Sequence, residues 1–150
     1  MFSEVDRLKI VFVDGVYDAA QSDDLSLEGV TIERLEDAAS ADIHWAQVFD
    51  MRFIKNPFYI KELSKLNGEN KKVIDFINKQ KNFNFFFGTI QKFFDKILIG
   101  FKEEGKNYIT IAFGCTGGVH RSVVSALQLY SILKKNNKFE MYLDHRDIKK

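Results

Sequence analysis

The pattern of apolar and polar positions predicts alternating strands and helices along the 150 residues. Short apolar runs are typical of buried strands, whereas apolar residues spaced three or four apart are typical of helices. The apolar runs predict strands at residues 8–13, 30–35, 47–53, 108–113 and 139–143. The run at 30–35 is also compatible with a strand-to-helix join. Helical spacing occurs over residues 71–79, 83–101 and 121–135.

The segment 83–101 carries the strongest helical signal. Its apolar residues form one wide stripe, made of Phe83, Phe86, Phe87, Ile90, Phe93, Phe94, Ile97, Leu98 and Phe101. Exposed aromatic rings can stack on single-stranded bases, but a stripe at this spacing is typical of a helix face that packs in the core. We therefore expect these phenylalanines to be buried.

This order of elements predicts a single three-layer α/β domain with a central, mostly parallel sheet. The segments 108–113, 121–135 and 139–143 form a strand–helix–strand unit. In such a unit the loop after the first strand lies at the carboxyl edge of the sheet, where open α/β sheets place their ligands.

The loop after the strand at 108–113 has the composition of an anion site. Gly117 and Gly118 let the backbone curl so that successive N–H groups point at an anion. The helix start adds the positive end of its dipole, Arg121 offers a planar fork, and His120 is a second donor that can be charged. The predicted phosphate ligands are the amides of Thr116, Gly117, Gly118 and Val119 and the side chains of Arg121 and Ser122.

The same loop fits the Cys-x-x-Gly-x-x-Arg-Ser signature of cysteine-dependent phosphatases. There, Cys115 would be a nucleophile whose thiol pKa is lowered by the loop amides and Arg121. Such an enzyme needs an acid for the leaving oxygen, and Asp50 or Asp144 serves only if the fold brings it to Cys115. In a third interpretation Cys115 is an inert buried residue and the glycines form a plain turn, which leaves His120 and Arg121 unexplained.

A second block, at residues 50–57, reads Asp-Met-Arg-Phe-Ile-Lys-Asn-Pro. On a strand, Asp50 and Arg52 project to the same face, and Pro57 biases Asn56 away from helix and ends the strand. An Asp–Arg pair on a strand surface contributes little energy. Beside the anion loop, we expect the strand end to deliver Arg52 and Asn56 to the ligand, with Asp50 orienting Arg52.

Three strings resemble the RapZ C-terminal domain family, which belongs to a bacterial adaptor that binds regulatory RNA. They are Gly-Cys-Thr-Gly-Gly-Val-His-Arg-Ser-Val at 114–123, Asp-x-Arg-Phe-x-x-Asn-Pro at 50–57 and His-Arg-Asp-Ile at 145–148. The resemblance covers residues 48–150 and leaves 1–47 as a divergent acidic segment, which we expect to belong to the same domain. It implies that the loop holds a phosphorylated metabolite, an amino-sugar phosphate, without cleaving it and without a cofactor. Cys115 and His120 are then part of the binding site.

The resemblance also implies partners. In that family the basic carboxyl-terminal stretch contributes to RNA contact, so a small regulatory RNA, a ribonuclease and a homo-oligomer are expected. The residues expected to touch RNA are Lys134, Lys135, Lys138, His145, Arg146, Lys149 and Lys150. Two alternatives remain: a solvated, frayed terminus, and a subunit that binds neither sugar nor RNA and acts through protein contacts.

The near-neutral net charge of +1 conceals an uneven distribution. Residues 1–50 hold twelve acidic and three basic residues, whereas residues 51–150 hold nineteen basic and nine acidic ones. This asymmetry indicates a basic face that can meet nucleic acid, although solvated helix faces also collect lysine.

Composition limits the class of protein. The hydrophobic fraction of 45% and the charged fraction of 29% are typical of a globular domain. No apolar run is long enough to span a bilayer, and the single cysteine excludes an intrachain disulfide and favours a reducing cytoplasm. His44, His120 and His145 are too scattered to indicate a metal site. The sequence contains no Gly-x-x-x-x-Gly-Lys-Ser/Thr string, so it gives no basis for predicting ATP or GTP binding.

Overall fold

The computed structural model describes residues 8–16, 44–105, 108–135 and 139–148. These residues contain four strands: β1 (Leu8–Val16), β2 (His44–Asp50), β3 (Tyr108–Cys115) and β4 (Phe139–His145). They also contain α1 (Lys71–Asn78), α2 (Lys81–Glu103), α3 (Arg121–Lys134) and a 3-10 turn at Pro57–Tyr59. The strand predicted at 30–35 and the candidate RNA contacts Lys138, Lys149 and Lys150 lie outside the described residues.

The four described strands form one parallel sheet in the order β2-β3-β1-β4. Ile10 of β1 lies opposite Ile109 of β3 on one side and Met141 of β4 on the other. The predicted α/β fold with a parallel sheet is therefore confirmed. Because β1 lies between β3 and β4, residues 8–16 belong to the same sheet as the other three described strands.

Helices α2 and α3 cover the same face of this sheet. Phe12 of β1 packs on Tyr130 of α3, with ring centroids 5.6 Å apart, and Phe49 of β2 packs on Phe94 of α2 at 6.0 Å. The strand register and the alternation of side chains place Phe12 and Phe49 on one face. The sheet and the helices on this face thus form two layers. The third layer that the sequence predicts is not found among the described helices.

The long helix α2 supplies much of the core. Phe83, Phe87, Ile90, Phe94 and Leu98 are all buried along one stripe, which confirms the expected apolar face. Phe93, by contrast, is 44% exposed, because it lies at the edge of a stripe wider than the sheet can cover. None of the described helices combines the length and apolar character needed to cross a bilayer.

Strand β2 ends at Asp50, three residues before the predicted boundary. The amide of Met51 makes one more hydrogen bond to the carbonyl of Gly114, at 2.7 Å, and the chain then turns. Asn56 caps the 3-10 turn by accepting from the amide of Phe58 at 3.0 Å, and Pro57 occupies the first turn position, which suits its fixed φ. This segment therefore lies beside the carboxyl end of β3.

Candidate anion-binding site

Residues 116–120 connect the carboxyl end of β3 to the first turn of α3. Gly118 has φ +72°, a left-handed conformation that glycine adopts without steric penalty. Within the described part of the chain, no carbonyl accepts from the amides of residues 116–119. The loop therefore turns at Gly118 and has four consecutive main-chain donors without a described acceptor.

Cys115 and Ser122 close the base of the loop. The amide of Ser122 donates to Cys115 Sγ at 3.4 Å, and the thiol lies 3.2 Å from Ser122 Oγ. Cys115 is 2% exposed and Ser122 is fully buried. These contacts join the end of β3 directly to the start of α3.

Arg121 is the first residue of α3 and is 4% exposed. Its Nη1 donates to the carbonyl oxygens of Ile54 at 2.9 Å and Arg52 at 3.2 Å. Its Nη2 lies 3.4 Å from Thr116 Oγ1, and its Nε has no acceptor among the described residues. Arg121 therefore fastens the segment after β2 to the loop, a contact that no local pattern indicated.

Asp50 and Arg52 form a two-pronged ion pair. Arg52 Nε donates to Asp50 Oδ1 at 2.8 Å and Arg52 Nη2 to Asp50 Oδ2 at 2.6 Å. Partial burial acts to raise the pKa of Asp50, but the hydrogen bonds and charge of Arg52, with the charge of Arg121, outweigh it and lower that pKa. Both side chains are partly exposed, at 39% and 29%, so the pair adds little to stability and mainly orients Arg52.

His120 lies at the end of the loop and is 4% exposed. Burial lowers the pKa of His120 below its ordinary 6.5, and the charge of Arg121 lowers it further. Hydrogen bonds to the main chain of Leu66 and Leu63 raise this pKa but do not outweigh the effect of burial. The neutral imidazole is therefore favoured, in contrast to the chargeable donor expected from the sequence. Its Nε2 is buried and has no hydrogen-bond partner among the described residues.

A second polar cluster, at the ends of β1 and β4, was missed by the sequence reasoning. Asp14 is fully buried, and its Oδ2 lies 2.5 Å from His145 Nδ1. Arg146 Nη2 lies 3.3 Å from Asp147 Oδ2, and both side chains pack over Gly15, where a Cβ would lie 2.6 Å from that oxygen. The signal that marks this cluster in the sequence is Asp14, an aspartate that follows the apolar run of residues 10–13 within β1.

The candidate RNA contacts within the described residues do not form one surface. Lys134 and Lys135 are exposed at the end of α3, with Lys134 Nζ 3.4 Å from Tyr130 Oη. His145 and Arg146 are only 15% and 19% exposed and pair with carboxylates. His145 ends β4 and Arg146 follows it, so both lie at the opposite end of the strands from Lys134 and Lys135, a strand length of roughly 20 Å away. Their role in RNA contact stays a prediction.

A groove of about 780 Å³ lies beside α2, away from the loop. It shares Asp50 with the predicted site, and its other lining residues are Phe53, Lys81, Asn82, Phe85, Phe86, Thr89 and Ile90. Among the described residues, no group of three or more His, Cys, Asp or Glu side chains is arranged to hold a metal ion.

The family model of the RapZ C-terminal domain matches residues 37–149, which include every part of this edge except β1. The chain belongs to the RapZ C-terminal domain family. The match to the family model begins at residue 37, whereas the motif resemblance begins at residue 48.

Staphylococcus aureus relatives support this assignment. The chain is 41% identical over 100 residues to proteins called nucleotide-binding protein in strains JH9, Newman and N315. The matched stretch covers 67% of this chain and 33% of each of those proteins. This RapZ-family chain therefore matches about one third of the length of those relatives.

Proposed function

We propose that this domain binds a phosphorylated small molecule in the loop of residues 116–120, and, from the family resemblance, that the ligand is an amino-sugar phosphate. The observation that carries the proposal is the run of amides at residues 116–119, which donate to no carbonyl of the described chain. Consecutive N–H groups at a helix start favour an anion. The 14 residues of α3 add aligned peptide dipoles behind them.

Arg121 supports the proposal through the unused edge of its guanidinium. Arginine can bind an oxyanion side-on by donating hydrogen bonds from Nε and one terminal nitrogen. Arg52 binds the carboxylate of Asp50 in this way, through Nε and Nη2. In Arg121 the bonds to carbonyls occupy Nη1, while Nε has no described acceptor and Nη2 has only the 3.4 Å contact to Thr116. A buried N–H without an acceptor is uncommon, and a phosphate oxygen would satisfy it.

The phosphatase alternative has less support. A nucleophilic thiol must meet its substrate, whereas Cys115 is 2% exposed, and its described hydrogen bonds are to Ser122. We expect no hydrolysis of p-nitrophenyl phosphate by the purified protein. Activity that disappears in Cys115→Ser would establish the enzyme instead.

Calorimetric titration with sulfate and with glucosamine 6-phosphate tests the binding site. Arg121→Ala should weaken both at least tenfold, about 1.4 kcal/mol, because it removes a charged donor from the site. Lys134→Gln removes one positive charge at the far end of the same helix and should leave both affinities within twofold. Circular dichroism shows whether Arg121→Ala keeps its fold, and a folded variant with unchanged affinities would contradict the proposed site.

We further propose a regulatory adaptor role, with a small regulatory RNA, a ribonuclease and a second copy of the chain as partners. Membership of the RapZ C-terminal domain family supports this role, and the exposed Lys134 and Lys135 supply cations for RNA phosphates. Binding of a structured small RNA should weaken with salt, by about 0.9 log units per log unit of salt for each duplex phosphate neutralised.

The double variant Lys134→Gln, Lys135→Gln should lower that salt slope. The slope is measured by gel shift between about 50 and 200 mM salt, because a protein with extensive phosphate contacts loses roughly 10³–10⁵ in affinity over this range. Lys61→Gln, Lys65→Gln is the matched control, since both of these lysines are also exposed. Failure to shift RNA at any salt concentration would favour a subunit that acts through protein contacts.

A further inference from the structure

The Asp14–His145 pair lies at the same sheet edge as the anion loop. The register places Asp14 opposite Phe113 of β3 and opposite His145 of β4. His145 is therefore two strand spacings, roughly 10 Å, from the strand that leads into the loop. This separation is suited to one ligand with two polar ends.

The side chain of His145 projects to the face on which α3 begins. Side chains alternate along a parallel strand, so Asp14, Phe113 and Cys115 share this face with His145. The charge of Glu69 contributes to the raised pKa of His145, so its carboxylate is within electrostatic range of the ring. The neighbouring Gly68 donates its amide to the carbonyl of Val119, at 2.7 Å. His145 and the loop thus border one region of the molecule.

The contact with Asp14 determines which ring nitrogen a ligand can meet. Nδ1 of His145 faces Asp14 Oδ2, and Nε2 makes no hydrogen bond to any described residue. The ring is 15% exposed, whereas Asp14 is not exposed at all. A buried carboxylate that fixes a partly exposed imidazole presents Nε2 outward in a single orientation.

This arrangement has a free-energy cost that packing alone does not explain. Burial raises the pKa of Asp14, more than the hydrogen bond and charge of His145 lower it. Its second oxygen, Oδ1, is buried without a hydrogen-bond partner in the described structure. Buried polar groups that are not fully satisfied are uncommon and concentrate at functional sites.

We propose that His145, oriented by Asp14, is a specificity residue of the anion site, where its Nε2 hydrogen bonds a sugar hydroxyl of a ligand whose phosphate lies in the loop of residues 116–120. The inference rests on the proposed phosphate site and adds the recognition of the sugar end. A protonated ring donates to the hydroxyl oxygen and a neutral ring accepts its proton, so a hydroxyl suits both forms.

Two probes separate this inference from the phosphate site itself. Sulfate reports on the loop alone, and glucosamine 6-phosphate reports on the loop together with the sugar contacts. His145→Gln should weaken glucosamine 6-phosphate about tenfold and change the affinity for sulfate less than twofold. Asp14→Asn, which keeps the shape but removes the charge that orients the ring, should weaken the sugar phosphate in the same direction. Tyr142→Phe is the control, since Tyr142 lies on β4 but projects to the opposite face.

The ratio of the two affinities is the decisive quantity. It does not depend on the folded fraction, so a variant that is merely destabilised leaves it unchanged. An unchanged ratio in His145→Gln overturns the role of His145 while the phosphate site stands. If the wild-type protein binds neither probe, the phosphate site and this inference both fail.

Discussion

Gly68 gives a sharp test of how the loop is held, because the structure leaves no space for a side chain there. Gly68 is buried against the start of α3 and donates its amide to the carbonyl of Val119 at 2.7 Å. A Cβ at this position would lie 2.6 Å from Val123 Cβ and 2.8 Å from the carbonyl oxygen of His120. We therefore expect Gly68→Ala to push the turn away from α3.

The magnitude follows from these contacts. The new methyl group would be roughly 1 Å closer to Val123 than the 3.5–4.0 Å of ordinary carbon contact. Val123 is fully buried, and the other neighbour is main chain, so neither can move aside easily. Overpacking costs about 1–3 kcal/mol, and loss of the hydrogen bond to Val119 adds about 1 kcal/mol. The expected loss is about 2–4 kcal/mol of the free energy of unfolding.

Urea denaturation followed by circular dichroism measures this loss. Gly88→Ala is the matched control, because a Cβ at Gly88 meets nothing within 4 Å and alanine is favoured over glycine in a helix by about 1 kcal/mol. The control should be more stable than the wild-type protein and Gly68→Ala less stable. If Gly68→Ala unfolds at the wild-type urea concentration or above it, the described packing of this turn on α3 is wrong.

Two further predictions concern the core and the Asp14–His145 pair. Phe94→Ala should lower the free energy of unfolding, measured by urea denaturation, by about 3–5 kcal/mol, because Phe94 is fully buried. Phe85→Ala is the control and should change it by no more than about 0.5 kcal/mol, because Phe85 is 78% exposed. Equal effects would contradict the assigned faces of α2. The hydrogen bond to Asp14 raises the pKa of His145 above its ordinary 6.5, against the opposing effect of burial. The stability from protonating His145 is therefore complete below pH 6.5 and is lost as the pH rises through the folded-state pKa. His145→Gln should remove this decline from pH titrations of the unfolding free energy, and an identical decline in the variant would show that another group causes it.

The elements next to the loop were predictable because their signals are local. The apolar run before Gly114 and the helical spacing after His120 predicted β3 and α3 to within two residues of each end. The same holds for α2, whose apolar stripe repeats over many turns. The end of β2 was less predictable, because Met51 makes its last ladder bond to Gly114, a residue distant in the sequence.

The partners of the charged side chains were not predictable in the same way. Asp14 and His145 are 131 positions apart, and the side chain of Arg121 bonds to the carbonyl of Ile54, 67 positions away. These contacts depend on the order β2-β3-β1-β4, which no local pattern specifies. For the same reason the sequence does not show that β4 separates Lys134 and Lys135 from His145 and Arg146.

The α/β class, the helix start after β3 and the family could be predicted from the sequence, because each depends on residues close together along the chain. Three features depend on the folded chain: Arg121 braces the loop through Nη1, burial favours neutral His120, and Asp14 orients His145. Burial and hydrogen-bond partners are set by which strands become neighbours, and these set the charge and direction of a polar side chain. The chemistry of this edge therefore follows from the strand order as much as from the residues of its motif.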